Sequence, residues 1–377
     1  MRLLVPADTA TLRRNNFDAI RLTMALLVVW SHSFALWFGD ERDEWLSRLT
    51  AGVYNSGNIG VLAFFAISGF LITLSWERSA GAIAYLKRRV LRIYPGYLVA
   101  ITLCSLVIVP AFSSRHFGYL TPAEWRGMVG NLLLRNYIIP SDAFHGSAVN
   151  GSLWSIPYEF WCYLGVLALG MAGLIRWRAI YPLLAVAVIL VRAWLDMTGR
   201  RPAGGMLEPI IGFAYFWFNV LPPFLLGGAA WLFRDRLPRS GWLAMALIVA
   251  TIAVSHLPLA DPLRTVITRT LLPPTLVYGV LYLAFEPRIP AHGAASFGDF
   301  SYGCYLYAFP IQRMLAASLK GVIPFWSFVL LAMLLSLTAG VASWYLVERW
   351  FLPRARRQHD RKRNSLPLQE EAAIVAP

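Results

Sequence analysis

Charged residues are scarce in this chain of 377 residues, at 14% of the total, whereas apolar residues make up 58%. Soluble domains carry about 25% charged and about 45–50% apolar residues, so this composition excludes an ordinary soluble enzyme. Cysteine is also rare: the three cysteines lie inside apolar runs, without CxxC spacing or a nearby His/Cys cluster. We therefore expect neither a disulfide framework nor a metal site. Because the sequence has no glycine-rich phosphate loop, we also predict no site for a nucleoside triphosphate.

The charge that is present is mostly positive, with a formal net charge of +14. These cations flank long apolar runs, and the mean hydropathy of the chain is +0.55. No aromatic-basic binding module accompanies them, so we predict no nucleic-acid partner. Orientation of a multi-pass protein against anionic membrane lipid explains the cations better.

The apolar runs predict an all-α, polytopic integral membrane protein of about ten transmembrane helices. Cations in the segments assigned to the inner side outnumber those outside nearly two to one, which places both termini in the cytoplasm. We expect one membrane domain over residues 1–352 and a basic, disordered cytoplasmic tail over 353–377. The predicted spans lie near 17–38, 59–77, 93–112, 154–174, 179–196, 210–233, 241–258, 265–285, 299–318 and 325–348.

Arg21 and His32 lie in the first of these spans, where an ionisable side chain is costly and is functional by default. They are eleven residues apart, which returns to nearly the same helical face about 16 Å along the axis. A cation at the inner mouth and an imidazole deep in the bilayer could thus contact one extended activated ligand.

A carboxylate is expected near that imidazole. Glu159 lies in the fourth predicted span, which runs in the opposite direction, and we place it about 8 Å below the outer interface, at the depth of His32. One interpretation is a catalytic base with an orienting or acidic partner. The alternative is a buried ion pair that only holds two helices together.

A basic cluster precedes the third predicted span: Lys87, Arg88, Arg89 and Arg92. Residues three or four apart share a helical face, so Arg88 or Arg89 with Arg92 forms a forked cationic patch that suits phosphate. The alternative is charge that merely keeps this segment inside. Two glycines of the second span, Gly60 and Gly69, are expected to allow close contact between helices.

Taken in order, five segments resemble the signatures of the acyltransferase family 3 membrane proteins. The resemblance extends from residue 16 to about residue 350. The segments are Asn16-Phe-Asp-Ala-Ile-Arg21 through Val29-Trp-Ser-His32, Gly60-Val-Leu-Ala-Phe-Phe-Ala-Ile-Ser-Gly-Phe-Leu-Ile72, Lys87-Arg-Arg-Val-Leu-Arg-Ile-Tyr-Pro95, Asn150-Gly-Ser-Leu-Trp-Ser-Ile-Pro-Tyr-Glu159 and Phe297-Gly-Asp-Phe-Ser-Tyr-Gly-Cys-Tyr-Leu-Tyr307.

The resemblance implies transfer of an acyl group, commonly acetyl, from acyl-CoA to a sugar hydroxyl of a surface polysaccharide or lipid-linked glycan in the bacterial inner membrane. Arg21 and His32 match the Arg-ten residues-His motif of the family, and Arg89 with Arg92 matches its Arg-two residues-Arg motif. Both motifs are associated there with catalysis and acyl-CoA handling. Glu159 matches the acid of a third motif. We therefore expect His32 and Glu159 to be catalytic, and Arg21, Arg88, Arg89 and Arg92 to bind the coenzyme.

One departure from the family concerns a second histidine. Many relatives have a His-x-Pro element where this chain reads Tyr307-Ala-Phe-Pro310, so Tyr307 or Gln312 could fill that space. The chain resembles the stand-alone membrane form, without a soluble esterase-like domain. A competing hypothesis is a transporter or flippase of lipid-linked glycan, in which the buried pair would relay protons. A third is an acyl-binding protein without turnover.

Overall fold

The computed structural model describes residues 3–6, 12, 14–118, 120–292, 294 and 297–352. Within them the regular structure is helical, with two isolated β-bridges rather than strands. Ten long helices account for the predicted spans, one each. In chain order, α1 to α10 are Phe17–Phe38, Ser56–Glu77, Ala82–Phe112, Ser155–Met171, Ile180–Met197, Ala214–Leu232, Gly241–Ser255, Asp261–Ala284, Ser301–Leu319 and Phe325–Phe351.

The all-α, multi-pass prediction is confirmed, although fewer helices than ten have the dimensions of a full span. By length and composition alone, six are long and apolar enough to cross a membrane: α1, α2, α3, α5, α8 and α10. A seventh, α6, qualifies when the helical segment Gly205–Ile211, bent from it by 44°, is counted in the same span. Both α4 and α7 are shorter, with 17 and 15 residues.

Helix α2 lies at the centre of the bundle, where most of its side chains are buried. It packs against α1 and α6 through glycines, as predicted. A Cβ atom on Gly69 would lie 1.8 Å from the carbonyl oxygen of Phe224, and one on Gly60 would lie 2.7 Å from the carbonyl oxygen of Met24. These backbones can approach so closely only because glycine has no side chain.

The segments predicted to face inward gather at one end of the bundle, here called the inner end. The Leu4 amide donates to the Leu237 carbonyl at 2.8 Å, and Asn16 Nδ2 donates to the Leu283 carbonyl at 3.0 Å. The last turn of α10 lies at the same end, where Glu348 pairs with Arg92. The cytoplasmic location of the termini stays a prediction, and the predicted tail, 353–377, lies outside the described residues.

Helix α3 begins at Ala82, about eleven residues earlier than predicted. The basic cluster from Lys87 to Arg92 is therefore part of the helix instead of a connecting loop. The predicted cationic face is nevertheless formed, because Arg92 is four residues from Arg88 and three from Arg89.

Candidate active site

Four charged side chains join α1, α3 and α10 at the inner end of the bundle, and we call them the inner charge cluster: Arg21, Arg92, Asp299 and Glu348. Arg21 Nη1 and Arg92 Nη2 both donate to Asp299 Oδ2, at 2.9 and 2.6 Å. Arg92 Nη1 also donates to Glu348 Oε2 at 3.1 Å. Both carboxylates are almost completely buried, with side-chain exposures of 4% and 3%. The structure thus brings Arg21 and Arg92 together, as expected, but through Asp299, and the sequence analysis identified neither this carboxylate nor Glu348.

Local backbone features place those two carboxylates. Asp299 lies two residues before α9 and accepts from Ser301 Oγ at 2.6 Å. Glu348 ends a π-helical turn, Trp344–Glu348, and accepts from Ser343 Oγ at 2.8 Å. Such turns are rare and occur often at functional sites. The extra residue per turn rotates Glu348 toward the bundle interior, where it meets Arg92.

Arg88 and Arg89 remain outside this charge-balanced cluster. Arg88 donates to Ser79 Oγ, and Arg89 Nη2 donates to Ser75 Oγ at 3.4 Å. Neither forms an ion pair with a described residue. Of the four arginines assigned to a phosphate ligand, these two therefore keep an uncompensated positive charge.

Glu159 lies in the inner half of the bundle, which differs from the expectation. It accepts hydrogen bonds from Ser68 Oγ at 3.0 Å and Tyr163 OH at 2.6 Å. It also lines a small inner cavity of about 40 Å³ together with Arg21. His32, by contrast, neighbours Ser31, which packs on Gly57 at the outer end of α2. Ser68 is eleven residues further along α2 than Gly57, or about 16 Å.

The prediction that Glu159 and His32 share one depth is therefore wrong, and the two do not meet. The reason is the chain before α4, which enters the bundle deeply instead of starting at the outer interface. Asn150 Nδ2 donates to the Leu306 carbonyl at 2.9 Å, and Tyr305 OH donates to the Ser152 carbonyl at 2.7 Å. Ser152 is fully buried. The catalytic role of Glu159 stays a prediction, without a contact to the imidazole.

His32 lines a second, larger cavity at the outer end, of about 520 Å³. Its ring packs edge-on against Phe309 of α9, with centroids 5.2 Å apart. Nδ1 is buried and has no hydrogen-bond partner among the described residues. Gln312 of the same helix donates to the Val29 carbonyl and to Ser33 Oγ, both at 2.7 Å, and so fixes α1 on either side of the imidazole. Of the two residues expected in the space of the family's second histidine, Gln312 thus contacts α1 beside the imidazole, and Phe309 packs on the ring itself.

A carboxylate, Glu41, lines the same outer cavity as His32, and no sequence pattern had pointed to it. It follows α1 in the connection to α2. Ser31 Oγ donates to Glu41 Oε1 at 2.9 Å, and Asn55 Nδ2 donates to Oε2. Burial raises the pKa of Glu41 above its usual value.

The inner and outer cavities share one wall residue, Val61 of α2. Arg21 and Glu159 line the inner cavity, and His32 and Glu41 line the outer one. Two substrates that entered from opposite ends would meet at this wall. The eleven-residue stripe from Arg21 to His32 runs from one cavity to the other, in agreement with the face predicted for α1.

A family model described as an acyltransferase domain matches residues 14–345. The chain is similar to an O-acetyl transferase of Shigella phage Sf6, with 26% identity over 91% of this chain and 97% of the relative. It is also similar to nodulation protein 10 of Rhizobium leguminosarum bv. viciae, with 25% identity over 89% and 92%. The acyltransferase MdmB of Streptomyces mycarofaciens shows 25% identity over 72% of each chain. No solved structure matches.

Proposed function

The chain belongs to acyltransferase family 3, and from that premise we propose that it transfers an acyl group from acyl-CoA to a hydroxyl of a surface polysaccharide or lipid-linked glycan. Acetyl is the acyl group we propose first, because one relative is named an O-acetyl transferase. The membrane is the bacterial inner membrane. The observation that carries this proposal is the pair of cavities that share Val61, the inner one lined by Arg21 and the outer one by the imidazole of His32.

The donor enters at the inner end. Arg88 and Arg89, which have no carboxylate partner among the described residues, hold the phosphates of the coenzyme through charge-assisted hydrogen bonds. Arg21 and Arg92 are already balanced by Asp299 and Glu348, so they shape the mouth of the donor site and leave the phosphates to Arg88 and Arg89. The pantetheine arm follows α1 from Arg21 toward His32.

The chemical step takes place at the wall between the cavities. Neutral His32 removes the proton from the acceptor hydroxyl as its oxygen attacks the thioester carbonyl carbon. The carbon–sulfur bond then breaks, and the departing thiolate takes the proton back from the imidazolium. The products are an O-acyl sugar and free coenzyme A. A covalent acyl-enzyme on Ser31, Ser68 or His32 is the alternative route.

The aromatic and carboxylate neighbours of His32 support this role. Phe309 restricts the rotation of the ring, and Glu41 offers acceptor oxygens to hydroxyl groups in the same cavity. Sugar sites commonly combine such groups with amides, and Asn55, Asn58 and Asn219 also line this cavity.

The test is His32→Ala in membranes supplied with radiolabelled acetyl-CoA. We expect acyl incorporation into glycan and release of free thiol to fall together by roughly 10²–10⁴-fold, the contribution of a general base. His256→Ala, an exposed histidine after α7, is the matched control and should keep full activity. Unchanged transfer in His32→Ala would refute the proposal. Loss of glycan translocation with acylation intact would instead favour the transporter.

A further inference from the structure

Three arginines and one carboxylate lie beside the outer cavity, and we call this group the outer arginine cluster: Arg192, Arg201, Arg269 and Asp196. Arg269 Nη1 donates to both oxygens of Asp196, at 3.2 and 3.1 Å. Arg201 Nη1 lies 3.1 Å from Asp196 Oδ1, and Tyr215 OH donates to the same oxygen. Asp196 is buried, and its two oxygens are shared among several donors.

Positive charge is in excess in this cluster. Arg192 is 2% exposed and forms no ion pair with a described residue; it donates to the carbonyls of Phe218 and Arg269 instead. Asp196 is thus the single described carboxylate that pairs with any of these guanidinium groups, and it pairs with two of them, Arg201 and Arg269. Burying uncompensated charge in a membrane protein is costly, and such groups are functional by default.

Arg269 is the arginine of this cluster that lines the outer cavity, together with His32. All of its hydrogen bonds to described residues are made through Nη1, to Asp196 and to Tyr215 OH at 2.9 Å. Nε and Nη2 bond to none of them. These two nitrogens lie side by side in a guanidinium plane and match the paired oxygens of a carboxylate or phosphate.

We infer that the acceptor is an acidic glycan, and that Arg269 binds a carboxylate or phosphate on the sugar that is acylated or on its neighbour. This inference rests on the proposed function. Trp154, Asn58 and Asn219 line the same cavity and suit the neutral part of a sugar. Because His32 and Arg269 share the cavity, the anionic group would fix the hydroxyl that meets the imidazole.

Glu41, the other charged residue of this cavity, does not neutralise Arg269. Its oxygens accept from Ser31 and Asn55, and its contacts to described residues do not include an ion pair. Glu44, nearby in sequence, is buried and accepts from Trp30 and Ser56. Arg269, which lines the cavity, therefore keeps two donors, Nε and Nη2, that no described residue uses.

The test measures binding of three methyl glycosides to the full chain in detergent by calorimetry: methyl glucoside, methyl glucuronide and methyl glucoside 6-phosphate. We expect one acidic glycoside to bind about tenfold or more tightly than the neutral one, as for a charge-assisted hydrogen bond. Which acidic glycoside binds distinguishes a carboxylate from a phosphate. Arg269→Gln should bring that affinity down to the neutral level. Arg269→Lys should restore only part of it, because lysine lacks the planar fork.

Arg264→Gln is the matched control, since Arg264 lies on the same helix but pairs with Asp261 away from the cavity. It should keep the preference. Equal affinity for neutral and acidic glycosides, absence of binding by all three, or a preference that survives in a folded Arg269→Gln variant would each overturn the inference. His32→Ala separates it from the proposed function, because that variant should lose transfer and keep the preference. A wild-type chain that transfers acyl groups without any preference would refute only the acidic acceptor.

Discussion

The inner charge cluster and the outer arginine cluster are both built from arginine and buried carboxylate, yet they differ in balance. In the inner cluster two guanidinium groups meet two carboxylates, Asp299 and Glu348, and connect three helices. The outer cluster has three guanidinium groups, and Asp196 is the one described carboxylate that pairs with any of them. In the balanced cluster the carboxylates neutralise the arginines, and the ion pairs connect helices. The unbalanced cluster keeps a net positive charge that can bind an anionic ligand, so burial of charge alone does not identify a binding site.

The largest effect should come from removing one negative charge from the inner charge cluster. Asp299→Asn should leave Arg21 and Arg92 short of negative charge and cost about 3–5 kcal/mol of folding free energy, as for a broken buried ion pair. Thermal unfolding in detergent measures the loss. Asp235→Asn, which breaks the exposed pair with Arg178, is the control and should change little. Stability equal to the wild type would show that the inner cluster is not a structural crosslink.

The next test concerns Arg88 and Arg89, which lie outside the inner charge cluster and have no carboxylate partner among the described residues. Arg89→Gln should raise the KM for acetyl-CoA by roughly 10–100-fold, the cost of a charge-assisted hydrogen bond to phosphate. The effect should shrink at high salt because screening weakens the attraction in the wild type. Steady-state kinetics on membranes measure it. Lys87→Gln, an exposed neighbour on the same helix, should leave KM unchanged. A larger rise in KM for Lys87→Gln than for Arg89→Gln would contradict the assignment.

The smallest effect should come from the outer cluster. Arg201→Gln removes one of three positive charges around Asp196, and its side chain is 45% exposed. We expect the free energy of unfolding to change by less than about 1 kcal/mol. Asp196 keeps its ion pair with Arg269, and the net positive charge of the cluster falls. The same thermal unfolding assay compares it with Asp299→Asn. A loss as large as that of Asp299→Asn would mean that the outer cluster is also a structural crosslink.

Local sequence predicted the features that depend on local physics. The apolar run from Phe17 to Phe38 is helix α1 with the same ends, because a membrane-length apolar run leaves the backbone few alternatives. Gly60 and Gly69 sit at the close helix contacts that small residues allow. The spacing of Arg21 and His32 placed them on one stripe, because helical periodicity is fixed.

Sequence could not supply what depends on distant segments. Arg21 and Asp299 are 278 residues apart in the chain, and no periodicity connects them. The predicted depth of Glu159 was wrong because the residues before α4 are buried through contacts with α9. The prediction from hydropathy had placed the start of the helix at the membrane surface. Glu41 and Arg269 lie in different segments, and only the fold brings them to the cavity of His32.

The position of Val61 between the two cavities affects whether ions can leak through the protein. The two cavities approach each other at its side chain, so the protein that separates them there is thin and apolar. An elementary charge that crosses a membrane under a potential of 100 mV gains about 2.3 kcal/mol, which drives leakage through any continuous water path. A hydrocarbon partition denies protons and ions that path. In the mechanism that we propose, molecules from two compartments could therefore react with each other without an ion leak that lowers the membrane potential.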